Sequence, residues 1–259
     1  MWFRRDLRVT DNAALHMALK ACRQLHCVFV FDRDILDDLP RSDRRVEFIR
    51  ESLVELDHDL RQLSGHKDTG LIVRHAKAVD TIAPLAQQLN VQAVFAAHDY
   101  EPQADLRDAR VQADLASVGV AFQTCKDHVI FERRDIMTQS HTPYGVFTPY
   151  KNKWLATLTD ADLRSHDSGP LGSSLAPRPL TFRVDVPTLV ELGFQTTNLG
   201  TLRLPTGASG ARQLFEDFFD RMDDYNDTRN FPSKKGPSYL SVHLRFGTVS
   251  IRQLAATAL

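Results

Sequence analysis

CVFVFDRDILDDLPRSDRRVEFIRESLVELDHDLRQLSGHKDTGLIVR, residues 27–74, decides the fold. Two short apolar runs, CVFVF (27–31) and LIVR (71–74), flank a stretch in which Val46, Ile49, Leu53, Leu56, Leu60 and Leu63 recur at steps of three and four. That spacing lays one apolar stripe along a long amphipathic helix, opened by Ser42 or Asp43 as N-cap. Strand, long helix, strand is the unit of a parallel sheet, because parallel neighbours need a long crossover. The unit repeats downstream, where VQAVFAA (91–97) and VAFQT (120–124) read as strands between helices at 78–89 and 103–117. In the first helix Val79, Ile82, Leu85 and Leu89 face inward; in the second, Leu106, Ala109, Ala113 and either Leu115 or Ala116. The strands read as continuous apolar runs, which predicts helices on both faces of the sheet. Met1 to Phe3 read as the end of a further strand, running through a charged loop into a helix from about Asn12 to Arg23. So short a strand is at the lower limit, which suggests a start upstream of Met1. The fold class is α/β, a doubly wound parallel sheet.

The chain of 259 residues can bury a sizeable core. Its 42% hydrophobic and 25% charged residues are globular averages, and 12 Gly and 12 Pro exclude a low-complexity chain. With 32 basic against 33 acidic side chains there is no bulk attraction to a polyanion, so any such binding needs a local patch. Cys22, Cys27 and Cys125 form no C-x-x-C pair, which argues against a disulfide framework or zinc ribbon. No signal peptide and no apolar run of membrane-spanning length is present, so the expectation is a soluble, cytoplasmic protein.

The organisation changes after the sheet. Residues 1–130 read as the α/β domain, 131–205 as a connection, and 206–259 as the start of an all-helical domain. Residues 165–210 are rich in Pro, Gly and Ser and carry little periodicity. ARQLFEDFFDRMDDYNDTRNF (211–231) reads as one helical segment with Leu214, Phe218, Met222 and Tyr225 on a stripe that lacks a partner. Two short helices follow, separated at Gly247, with Ser250 capping the second. So few helices do not complete a domain, and the expectation is a chain cut short at Leu259.

The common catalytic fingerprints are missing. No G-x-G-x-x-G follows a strand, and GHKDTG (65–70) lacks the Lys-Ser/Thr of a P-loop and reads as a turn. The ten histidines show no metal-ligand spacing; His58 and His243 read as surface or packing residues. TGASG (206–210) does not follow a strand as a nucleophile elbow does. Two basic-aromatic clusters remain, WFRRDLR (2–8), with Arg4, Arg5 and Arg8, and PYGVFTPYKNKW (143–154), with Lys151 and Lys153 among Tyr144, Phe147, Tyr150 and Trp154. Local composition favours a solvated loop and an amphipathic helix start whose aromatics pack on the sheet, rather than a binding surface.

Taken together these segments resemble the DNA photolyase/cryptochrome family. WFRRDLRVTDNAAL (2–15) is similar to the family opening W-F-R-x-D-L-R-x-x-D-N-x-A-L, and GVFTPYKNKW (145–154) to V-F-T-P-[FY]-x-x-x-W. YNDTRNFPSKKGPSYLSVHLRFGTVSIRQ (225–253) resembles Y-x-x-x-R-[DN]-x-P-x-x-x-G-[TS]-S-x-L-S-x-x-L-x-x-G-x-[LIV]-S-x-R. The resemblance implies an antenna α/β domain, a long connection across its face and a helical domain that holds FAD. It also implies a light-driven lyase, in which reduced FAD gives an electron to a cyclobutane pyrimidine dimer in DNA, the ring bonds split, and the electron returns.

By the same resemblance Tyr225, Pro237, Ser238, Tyr239, Leu240 and Ser241 occupy FAD-contacting positions, and Arg229 a position that contacts the DNA strand. Pro237 stands where the family often has Thr, and Tyr239 where it often has Arg. Arg229 could instead pair with Asp224 or Asp227. YEPQADLRD (100–108) aligns with a segment near a folate antenna, but Ala104 replaces the acidic residue that holds the pterin in several members. Folate, deazaflavin or no antenna therefore stay open. No residue is assigned as a catalytic side chain or metal ligand, and the implied partner is damaged DNA, met by a monomer away from membranes. The lesion could be a cyclobutane or a 6-4 dimer. The rivals are a cryptochrome-like photoreceptor that binds flavin without repairing DNA, and an α/β binding module that holds no flavin.

Overall fold

The computed structural model describes Met1–Leu259. Strands β1 (Trp2–Phe3), β2 (Cys27–Asp32), β3 (Leu71–Ala76), β4 (Ala93–Ala97) and β5 (Ala121–Cys125) are all parallel. Trp2 pairs with Val28, Cys27 with Leu71 and Ala93 with Ala121. The ladder falls into a sheet of order β3-β2-β1 and a two-stranded sheet β4-β5, with β4 beside β1. This is the doubly wound arrangement, and the strand order reverses between β1 and β4.

Helices α1 (Ala13–Ala21), α2 (Arg33–Leu36), α3 (Arg44–Ser64), α4 (Ala78–Gln88) and α5 (Pro102–Ser117) cover the strands. Alternate strand residues feed two apolar clusters. Phe29, Phe31 and Phe95 pack with Leu15 of α1 and Leu53, Leu56 and Leu60 of α3. Val28, Val30, Val94 and Ala96 pack with Ile82 and Leu85 of α4 and Leu115 of α5. Asp43 caps α3 by accepting from Arg45 N at 2.8 Å, and Gly65 ends it in the left-handed region at φ 69°. GHKDTG is a turn, as expected.

Two readings of this half need correction. Helix α5 turns Ala104, Val111 and Leu115 inward, while Leu106 is 74% exposed and Ala109, Ala113 and Ala116 are exposed too. Alanines carry little apolar area and do not fix a helix face; Val111 and Leu115, which join the cluster with Ile82 and Leu85, turn inward instead, and the Arg107 guanidinium lies over the Trp2 ring at 5.1 Å. Strand β5 is an edge strand, exposed or half-buried along its length, and not covered on both faces. Its Ala121, Gln123 and Thr124 tolerate water on the open side.

The connection is packed rather than loose. Leu175 bridges to Leu25, and Val186, Leu189, Leu192 and Phe194 enter the α1–α3 cluster. Arg178, buried, donates to the carbonyls of Leu71 (3.2 Å) and Val184 (2.9 Å). The stretch 137–167, which includes α6 (Phe147–Thr157), has no buried residue; Trp154 lies edge-on to Phe131 and Tyr144 to Tyr150, so the aromatics expected to pack on the sheet pack on one another at the surface instead.

The helical tail comprises α7 (Gly207–Phe219), α8 (Tyr225–Thr228), α9 (Ser241–Phe246) and α10 (Ile251–Ala258). The single helix expected over 211–231 is broken, because Asp220, Asp223 and Asp224 crowd the carboxyl end of α7, where the helix dipole disfavours negative charge. Of the stripe, Leu214 alone finds a core partner, while Phe218, Met222 and Tyr225 join no apolar cluster. Ala211 and Leu214 pack with Leu240, and Ser52 and Glu55 of α3 accept from Gly207 N (3.1 Å) and Ser209 N (2.6 Å). Gly247 (φ 63°) separates α9 from α10, and Ser250 caps α10, as the spacing indicated.

Candidate functional site

A doubly wound sheet takes ligands at the carboxyl ends of its strands, where the order reverses. Here that crevice is closed. Arg4 leaves the end of β1, pairs with Asp108 at 2.5 Å and donates to the Ala97 carbonyl; its guanidinium covers one side of Trp2 at 4.8 Å. Arg5 pairs with Glu101 (2.7 Å) and Asp99 (3.3 Å), and Arg245 of α9 shares Glu101 at 2.6 Å. The WFRRDLR cluster is therefore a neutralised, largely buried turn and not a solvated loop, so it offers no free cation to a polyanion.

The next turn welds the two halves together. Asp127, fully buried after β5, accepts from Arg8 Nη2 (2.8 Å), Arg252 Nη2 (2.9 Å) and Ala13 N (2.8 Å). Burial pushes its carboxyl up, but Arg8 and Arg252 outweigh that and hold it below the usual range. Arg252 also reaches Asp11 at 3.1 Å, whose carboxylate takes the Ser250 hydroxyl. Arg8 Nη1 donates to the Gly247 carbonyl (2.9 Å) and Leu7 N to that of Phe246 (3.2 Å). A side chain at Gly247 would collide with the Arg5 carbonyl. Asp6 lies beside this network, and burial followed by the Asp127 charge pushes its pKa up to about 6.

At the end of β4, Glu132 Oε1 accepts from Tyr100 Oη (2.8 Å) and from His98, whose other ring nitrogen meets Thr124 Oγ1 at 3.0 Å. Burial raises the Glu132 carboxyl, but these bonds outweigh it and leave the pKa low. The cluster satisfies itself and presents no free base.

The predicted cofactor residues lie in the tail. Tyr225, 40% exposed, opens α8 with its ring edge-on to Phe218. Arg221 donates to the carbonyls of Lys235 (2.7 Å) and Pro237 (2.9 Å), and Gly236 packs so closely on Thr228 that a Cβ would clash. The segments carrying Tyr225 and Ser238 are thus neighbours. Ser238 Oγ accepts from Leu240 N at 3.4 Å, Tyr239 is 44% exposed at φ 58°, Leu240 is buried, and Ser241 begins α9 in solvent. The Arg229 guanidinium lies over Tyr225 at 5.8 Å and pairs with neither Asp224 nor Asp227. Beside this face a groove of about 1080 Å³ runs between α3, α7 and the 232–235 loop. Arg203, Lys234 and Lys235 line it together with Glu47 and Asp217, and of the six cofactor positions it takes in Tyr239 alone.

The sequence pattern of DNA photolyase matches residues 1–168. The chain belongs to the DNA photolyase family. It is 32% identical to the deoxyribodipyrimidine photo-lyase of Synechococcus sp. (strain ATCC 27144 / PCC 6301), over 97% of this chain and 51% of the relative. The photo-lyase of Halobacterium salinarum is 31% identical over 99% of this chain and 53% of its own. The chain thus spans about half the length of these photo-lyases. Cryptochrome DASH of Natronomonas pharaonis is 29% identical over 89% of the chain. Among solved structures, a class III photolyase of Agrobacterium tumefaciens superposes with a TM-score of 0.82 at 24% identity, over 99% of this chain and 52% of that one. A Sulfolobus tokodaii photolyase solved with two FAD molecules gives 0.77 at 25%, over 99% and 53%.

In this photolyase-family chain, sequence reasoning assigned no role to Asp11, Asp127 and Arg252. Asp127 was findable as a carboxylate placed directly after a strand, ahead of the apolar HVIF run. Its partners were not, since Arg8 and Arg252 lie 119 and 125 residues away. Ala104 is buried against the sheet and offers no polar group to a chromophore. No helix is long and apolar enough to cross a membrane.

Proposed function

We propose that this chain forms the antenna domain and the first part of the flavin-binding domain of a light-dependent photolyase that repairs cyclobutane pyrimidine dimers in DNA. The observation that carries the reading is the locked pair of segments in the tail. Arg221 and Gly236 hold the turn of Tyr225 against the loop of Ser238, which brings the segments that carry these hydroxyls together. Hydroxyl donors suit a diphosphate, which supports FAD as the cofactor. When bound, FAD supplies the light-driven electron transfer, and no side-chain nucleophile is needed. In this reading Tyr225, Ser238 and Ser241 bind and orient the cofactor, Pro237, Tyr239 and Leu240 shape its cradle, and Arg229 takes a phosphate of the damaged strand. The dimer leaves the base stack to meet the flavin, a behaviour general to photolyases.

A cryptochrome-like photoreceptor is the second reading, favoured by the cryptochrome relatives alongside the photo-lyases. Blue-light irradiation of dimer-containing DNA with the flavin-loaded protein separates the two. Recovery of thymine absorbance by the full-length, flavin-loaded protein supports repair; a flavin-loaded full-length protein that restores none favours the photoreceptor. The antenna is assigned no chemistry, because Ala104 offers none.

A further inference from the structure

Tyr239 stands in the left-handed region at φ 58°, a conformation that is strained for a bulky aromatic residue and persists only where its surroundings hold it. The loop before it is held by Arg221, in the turn after α7. Arg221 Nε donates to the Lys235 carbonyl at 2.7 Å, Nη2 to the Pro237 carbonyl at 2.9 Å and Nη1 to the Asp217 carboxylate at 2.7 Å. Lys235 Nζ meets the other Asp217 oxygen at 2.5 Å, so the end of α7, the guanidinium and the loop form one cluster. All three nitrogens of Arg221 are thus engaged within the protein.

This grip decides where the loop aims its donors. A trans peptide sets its C=O and N–H on opposite edges of one plane. With the Pro237 carbonyl turned toward Arg221, the Ser238 N–H is turned away from it, and neither Ser238 N nor Tyr239 N has an acceptor in the protein. Ser238 Oγ accepts from Leu240 N at 3.4 Å, which leaves the hydroxyl hydrogen free to be donated.

We propose that Arg221 is a positioning residue for the flavin, which holds the loop of Ser238 by its backbone carbonyls and keeps that loop's free donors turned to the diphosphate of FAD without itself touching the cofactor. The proposal rests on the cofactor reading above and adds to it a residue outside the motif that carries that reading. Shape matters here more than charge. The planar fork meets two carbonyls and a carboxylate at once, which a single ammonium at the same place does not. Lys235 remains to neutralise Asp217 when the guanidinium is removed, so the charge of Asp217 does not account for the effect.

The test uses the full-length protein, its Arg221→Lys and Arg221→Gln variants, and the double variant Tyr225→Phe with Ser238→Ala. Rebinding of FAD to each apoprotein is followed by flavin fluorescence. Both Arg221 variants are expected to bind FAD about tenfold more weakly, the loss of roughly one hydrogen bond, so that lysine does not rescue. At saturating FAD the phosphorus NMR resonances of the bound diphosphate move toward those of free FAD, while the flavin absorption bands stay in place. Weaker binding with the phosphorus resonances unmoved would overturn the proposal, because it would mark a general loosening of the tail. So would parent affinity in Arg221→Lys alongside weakened binding in the double variant, which leaves the cofactor reading standing. Parent affinity in all of the variants would remove the cofactor from this loop, and the role of Arg221 with it.

Discussion

Asp127 and Arg252, 125 residues apart, meet inside the protein at 2.9 Å, and through that contact the α/β domain grips the helical tail. The same guanidinium reaches the carboxylate and the carbonyl of Asp11 and the carbonyl of Asp127, so four acceptor groups lean on one cation. Removing one partner of a buried pair leaves charge without compensation. Arg252→Gln is expected to lower unfolding free energy by about 3 kcal/mol, with Arg8 still neutralising part of the Asp127 charge. Arg252→Lys keeps the charge but loses the fork, and falls between. Urea melts of the three proteins check the order.

Gly247 is needed twice, for its φ of 63° and for its contact with the Arg5 carbonyl. Gly247→Ala meets both obstacles and should cost roughly 2–4 kcal/mol, more than a left-handed backbone alone. The accompanying change is faster amide exchange in α9 and α10, with β2 and β3 unaffected.

Stability should respond to pH through two opposed groups. His243 is fully buried against Phe48 and Thr248, and burial pushes its pKa down to about 4. The unfolded chain then holds more protons between about pH 4 and 6.5, so this residue makes stability rise with pH across that window. Asp6 has a folded pKa of about 6 and acts in reverse, since the folded state holds the extra proton and stability falls from the usual aspartate range up to pH 6. His243→Asn is expected to tilt the stability profile downward with pH between 4 and 6, and Asp6→Asn to tilt it upward. Denaturant midpoints at three pH values measure both slopes.

If the tail carries the flavin, Tyr225→Phe combined with Ser238→Ala should cut flavin occupancy of the full-length protein by about tenfold, the loss of roughly one or two hydrogen bonds. Arg229→Ala should leave occupancy unchanged, weaken binding to dimer-containing DNA and reduce the salt slope by about 1. Absorbance of the purified protein and salt titration of a labelled duplex separate the effects. Loss of flavin in Arg229→Ala would move that residue from the DNA face to the cofactor.

The 259-residue chain by itself should purify without near-stoichiometric flavin, because Tyr225 and Tyr239 are 40% and 44% exposed and cannot shield a ring system from water. A yellow preparation would refute this.

The period of the long helix and the apolar runs made the alternation of strands and helices readable, because both are local patterns. The face of α5 was misread because three of its four candidate inward positions are alanine or a choice including it, and the partners of the inward Val111 and Leu115, on β2, α4 and β4, lie in distant segments. The break after α7 was legible in principle from Asp220, Asp223 and Asp224, but an apolar stripe running on to Tyr225 concealed it. In the candidate site, the motif WFRRDLRVTDN was visible as a signature long before its task was. Arg4, Arg8 and Asp11 hold structure together, and nothing in their spacing distinguishes a cation that pairs inward from one that meets a phosphate.

The separation of 241 residues between Asp11 and Arg252 also sets an order of events during synthesis. At about 5–20 residues per second, the ribosome needs on the order of ten to fifty seconds after making the first partner to deliver the second. Throughout that interval Asp11 lacks its Arg252 counter-ion and the surface that later receives α9 and α10 faces the cell, so the nascent α/β half is a natural client for chaperones until translation brings its lock into reach.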